Sequence, residues 1–174
     1  MSLKNPSRHV NTTSERGATL IEFAVIFPLL LMLLFGVIEF GRLVTTMISV
    51  STASREGARF GTATGEATPG IPQYIDCAGI VGAARARVVI GKPAVSEVIV
   101  VWDKGPGTPV IADCNSVDAT YPNPTTAIVL SVHRVSVTVQ KQFSTGIPLI
   151  SNFIGTVNLE STDNRTIFKG VLSG

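Results

Sequence analysis

Hydrophobic positions fall along this chain in three different patterns, and each predicts a different kind of element. Residues 1–17 (MSLKNPSRHVNTTSERG) are polar, with no periodicity, and are expected to form a leader that is disordered on its own. Apolar residues then run from Ala18 to Ile38, interrupted by a single carboxylate at Glu22, and Phe23–Ile38 carries no charge at all. A helix of that length covers about 32 Å, enough to cross the ~30 Å hydrocarbon core of a bilayer. Beyond Ile38 the pattern turns amphipathic instead of stopping. Phe40, Leu43, Met47 and Val50 recur at helical spacing, and Glu39 and Arg42 stand three residues apart as a pair at the membrane exit. One helix is therefore expected from about Ala18 to about Thr62, stopped by Gly61, Gly65 and Pro69. Ser49, Ser51, Ala53, Ser54, Gly57 and Ala58 make its outer part small-sided, open to close approach by other helices or by the rest of the chain. Pro28 removes one backbone hydrogen bond inside the span and is expected to kink or loosen it.

The third pattern, from residue 74 onward, is that of a small mixed domain. After a Gly/Pro linker over 63–73, YIDCAGIVGAARARVVIG reads as a short helix with Asp76 as N-cap and Gly91–Lys92–Pro93 as its stop. SEVIVVWDKG reads as a strand ended by a turn, and Thr108–Thr126 as a long loop. In AIVLSVHRVSVTVQKQF, Val135, Val137 and Val139 alternate with Arg134, Ser136, Thr138 and Gln140, the mark of a half-buried strand. STGIPLISNFIG is a loop with apolar anchors, and TVNLESTDNRTIF is a last amphipathic strand. The expected class is α+β: a long N-terminal helix, then a head (74–174) with one helix on an antiparallel sheet of about three strands.

Charge sharpens this picture only at the N-terminus. The net +2 lies wholly in residues 1–17, where Lys4, Arg8 and Arg16 stand against Glu15; the rest of the chain holds eleven basic and eleven acidic residues. A neutral body without a Lys/Arg cluster argues against nucleic-acid binding. The basic leader places the N-terminus in the cytoplasm and the long remainder outside, with lipid around the span. No small-residue cleavage site follows the apolar run, so the span is expected to be retained. Cys77 and Cys114 then lie in a compartment that permits a disulfide, favoured over free or metal-bound thiols because there is no CxxC and no clustered histidine.

Candidates for chemistry are few. His9 lies in the leader and His133 in a strand, without a nucleophile at a telling spacing. Asp113, Asn115 and Asp118 match no calcium loop, and the Asn11 and Asn164 sequons read as chance. No nucleophile–base pair, metal set or cofactor motif emerges, so an enzyme is not expected.

Glu22 is the residue that asks for an explanation. A carboxylate in a membrane segment costs up to about 3 kcal/mol at the bilayer centre, less near an end, and usually has a partner. A cut between Gly17 and Ala18 would create an ammonium at residue 18, four residues from Glu22 and so on the same helix face. A glycine, an apolar helix starting at the next residue, and Glu at its fifth position resemble the class III leader of type IV pilins, cut on the cytoplasmic side by a prepilin peptidase. The wider stretch RGATLIEFAVIFPLLLMLLFGVIEFGR, followed by SREGARFG, resembles the TadE-like minor pilins of the tight-adherence (Tad/Flp) pilus system. VSVTVQKQFSTGIPLISNFIGTVNLES is similar to that family's strand–loop–strand ending. Phe23 stands where the major Flp pilins have Tyr, Ala18 stands where other type IV pilins have Phe, and the short Flp pilins lack a head. The resemblance thus implies a minor pilin or pseudopilin in the bacterial inner membrane, with a periplasmic, pilin-like head. Its implied partners are the prepilin peptidase, other minor and major pilins and the inner-membrane assembly platform, with no cofactor. The rival expectation is a permanently anchored, single-span periplasmic binding or sensor protein whose N-terminus stays uncut.

Overall fold

The computed structural model describes residues 12–86, 88, 91–114, 134–147 and 155–167. The chain separates into two compact units, Met1–Gly41 and Arg42–Gly174. Helix α1 (Thr12–Phe60) contributes to both. Its start differs from expectation: the last residues of the leader are helical, and the helix is continuous through Gly17 and Ala18. α1 also continues through Pro28 without a break. It ends at Phe60, where Gly61 N–H still reaches the Gly57 carbonyl at 2.9 Å and Thr62 tightens to the Arg59 carbonyl.

In the second unit the linker is more ordered than expected. β1 (Glu66–Thr68) and β2 (Ile71–Pro72) form a small antiparallel hairpin, followed by a 3₁₀ turn over Gln73–Ile75. Gly70, at φ 80°, makes the hairpin turn, a conformation that side chains with a Cβ rarely adopt. Helix α2 (Cys77–Ala86) starts as its sequence indicates, with Asp76 Oδ1 accepting the Gly79 N–H at 2.9 Å. It ends at Ala86, five residues before Gly91.

Among the described residues the sheet has four strands, the expected three and one short addition. β3 (Val98–Asp103), β4 (Ala112–Asp113), β5 (Arg134–Ser144) and β6 (Thr156–Thr166) lie in the order β4-β3-β5-β6 with every pairing antiparallel. The extra strand, β4, is two residues inside the segment expected to be loop, too short to carry a period-2 signal. Asp113 is therefore a strand residue opposite Val101. Asn115, Asp118, His133 and the segments 115–133 and 148–154 lie outside the described residues, as does His9. β5 and β6 pair over eleven residues, from Arg134↔Thr166 to Ser144↔Thr156. Val135, Val137 and Val139 are fully buried. On the other face, cross-strand hydroxyl and amide pairs link Ser136 to Asn164, Thr138 to Thr162 and Gln140 to Glu160.

The core of this unit lies between the valine face of the sheet, α2, and the outer part of α1. Here the small residues of α1 find their use. Ala53, Ser54 and Ala58 are fully buried. A Cβ on Gly57 would sit 3.0 Å from Val137 Cγ1 and 3.1 Å from Ala84 Cβ. The close approach they allow is to the chain's own sheet and α2. Trp102 fills the centre, fully buried, and its indole N–H donates to the Tyr74 carbonyl at 3.0 Å.

Cys77 and Cys114 are joined, with Cα atoms 5.8 Å apart, tying the first residue of α2 to the end of β4. Closing a loop across 37 residues stabilises by about 4 kcal/mol in the chain-entropy model. Cys77→Ser and Cys114→Ser should each destabilise the head by about 2–4 kcal/mol in denaturant melts, and the double mutant should add little. Unchanged melts on reduction would count against a structural role.

Candidate functional site

Two regions hold the residues that carry chemistry, one in each unit. In the first, an 18-residue window of α1 has mean hydropathy 2.6 and none of it is buried. Leu20, Ile21 and Leu33 are each more than 65% exposed. Burying one such side chain is worth about 1.5–3 kcal/mol, so a row of them left in water is untenable. This surface belongs in lipid or against other apolar helices, and the segment is long and apolar enough to cross a membrane.

Gly17, Ala18 and Glu22 lie in succession on this helix, with Ala18 and Glu22 one turn apart on one face. Glu22 is exposed, and Phe23 stacks on Phe27 with ring centroids 5.2 Å apart. Gly17 is the anomaly. A Cβ there would meet nothing within 4 Å, and its φ is not positive. Glycine inside a helix is unfavourable by about 1 kcal/mol relative to alanine. Nothing in the fold requires glycine at this position. Gly36 and Gly41 are equally open, but they lie on the apolar helix itself, where glycine commonly serves helix–helix contacts.

Both members of the expected membrane-exit pair are engaged. Glu39 is buried, while the Arg42 guanidinium lies over the Phe143 ring, 5.7 Å from its centroid. Helical spacing cannot reveal an aromatic ring 101 positions away, since that contact exists only once β5 packs on α1.

The second region is the end of β3 and the start of β5, which sequence reasoning missed. Asp103, 4% exposed, accepts from Arg134 Nε and Nη2, both at 2.7 Å. Its Oδ1 also accepts the Gly105 N–H at 2.9 Å, fixing the turn after β3. Arg134 is held above its ordinary pKa, first by the hydrogen bond to Asp103 and then by its charge, against the opposing effect of burial. A raised arginine contributes stability that is lost only as pH climbs through its folded value. No change from this pair's arginine is therefore expected between pH 5 and 9. The paired side chains form a pin that locks strand register.

A shallow depression on the head is lined by Ser96, Glu97, Gln140, Lys141, Asn158 and Glu160. Glu97 is tied to Lys141 at 3.2 Å and Glu160 to Gln140 at 3.1 Å. Among the described residues, no group of three His, Cys, Asp or Glu side chains converges to hold a metal.

Residues 17–59 match the family described as TadE-like protein. The match starts at Gly17 and covers the anchor and the outer part of α1, about a quarter of the chain. No curated protein and no solved structure matches the chain.

Proposed function

We propose that this chain is a minor pilin or pseudopilin of a Tad/Flp-type pilus. A prepilin peptidase cuts it after Gly17, and α1 then joins it to other pilins. The observation that carries this reading is the TadE-like match beginning at the glycine itself, one residue before the proposed new N-terminus. Two further features support it. Gly17 is unexplained by packing or backbone conformation, and a peptidase pocket fitted to glycine supplies the missing reason. Glu22 lies one turn from the ammonium that the cut would create, positioned to neutralise the ammonium of a neighbouring subunit in an apolar bundle. In this reading the N-terminus is cytoplasmic and the head periplasmic, in the inner membrane, before an assembly platform extracts the protein. The Cys77–Cys114 bridge suits an oxidising compartment.

The test is complementation of a strain lacking this chain. Wild type should restore surface pili and adherence. Gly17→Val should restore neither while reaching wild-type level in the membrane, because a branched side chain does not fit a pocket shaped for glycine. Full adherence with Gly17→Val would rule the reading out.

A further inference from the structure

We infer that the helical leader is a conformational gate on processing: the Gly17–Ala18 bond is shielded within α1 and becomes cleavable only when the helix unwinds from Thr12 through this bond. The inference rests on the proposed cut after Gly17. The cut itself is a hydrolysis in which the Gly17 carbonyl carbon–Ala18 nitrogen bond breaks. Water supplies the hydroxyl of the new Gly17 carboxyl group and a proton to the Ala18 amine.

The geometry of α1 opposes that reaction. The helix is continuous from Thr12 across the bond to be cut. In an α-helix the carbonyl of residue 17 accepts from the N–H of residue 21, and the N–H of residue 18 donates to the carbonyl of residue 14. Both polar groups of the scissile amide are thus engaged. An attacking water needs the carbonyl oxygen released to donors that stabilise the developing oxyanion. The first turns must therefore open. Their composition lowers the cost of opening: Thr12, Thr13, Ser14 and Gly17 all rank low in helix propensity. Gly17, which the fold does not require, is the weakest of these residues and sits at the bond itself. Alanine there would strengthen the helix across the bond by about 1 kcal/mol. Glycine keeps the first turns separable from the anchor helix.

The gate is tested by varying helicity without varying side-chain recognition. The pairs Thr13→Ala/Ser14→Ala and Thr13→Gly/Ser14→Gly remove the same hydroxyls and leave Thr12, Glu15, Gly17 and Ala18 in place. They differ in helix propensity at two positions, by up to about 1 kcal/mol each. The full chain is reconstituted in liposomes with the peptidase. Its cleavage rate is measured alongside hydrogen exchange at the Ala18 amide. The expected result is that the glycine pair is cut roughly ten-fold faster than the alanine pair, with wild type between, and that amide protection falls in the same order. Equal rates despite different protection would overturn the gate, as would an unprotected Ala18 amide in wild type. Wild type that stays uncut by an active peptidase would overturn the processing reading instead, so the two failures are distinguishable.

Discussion

Arg134→Ala should destabilise the head by about 3–5 kcal/mol, more than Asp103→Ala at the partner position. The asymmetry follows from burial. Asp103 is 4% exposed, whereas the side chain of Arg134 retains 21% exposure. Removing the arginine leaves a carboxylate inside the protein with the Gly105 N–H as its one remaining described donor, and an uncompensated buried charge is the expensive outcome. Removing the aspartate leaves a guanidinium that can turn toward water, so about 1–3 kcal/mol is expected, part of it from the orphaned Gly105 N–H. The double mutant should be more stable than Arg134→Ala alone, because the stranded charge disappears with its partner. Denaturant melts of the four proteins measure all of this. Simple additivity would show that the two groups do not act as a pair.

The second large effect is expected at Glu22. On the proposed pairing, Glu22→Gln changes the shape of the side chain very little and makes the helix easier to hold in lipid, so insertion and cleavage should survive. Assembly should not. The neighbouring subunit's ammonium would be left unpaired in apolar surroundings, a penalty of roughly 3–5 kcal/mol if fully buried and less near an interface. That corresponds to a loss of two or more orders of magnitude in association. Glu22→Asp keeps the charge with a shorter reach and should recover part of the function. A carboxylate that merely reaches out to the headgroup layer predicts the opposite order, with Gln harmless and Asp no better. Co-purification of partner pilins at matched protein levels separates the two. Wild-type assembly by Glu22→Gln would contradict the pairing.

What was legible in the sequence and what was not divides along a physical line. Elements with strong local signals were readable: the anchor from its unbroken apolar run, α2 from Asp76, and β5 from the alternation of Val135, Val137 and Val139 with polar neighbours. The helical character of 12–17 was not readable, because a polar stretch carries no signal when hydrophobic periodicity is the guide. Contacts created by register were beyond reach. Asp103 meets Arg134 only because β3 and β5 pair so that these two residues face each other. Gly57 reads as a site for another helix or for the rest of the chain, and only Val137 and Ala84 against it decide between the two. Of the proposed site, the order of Gly17, Ala18 and Glu22 was visible from spacing, whereas the helix running through the bond between the first two required the structure.

The central claim is that the working protein begins at Ala18. Intact-mass measurement of the chain, extracted from membranes of otherwise identical cells with and without the prepilin peptidase, tests it most directly. The predicted result is a species whose N-terminus is Ala18 when the peptidase is present, replaced by the chain with its leader still attached when it is absent. The same uncut N-terminus in both strains would contradict the claim and leave a permanently anchored protein in its place.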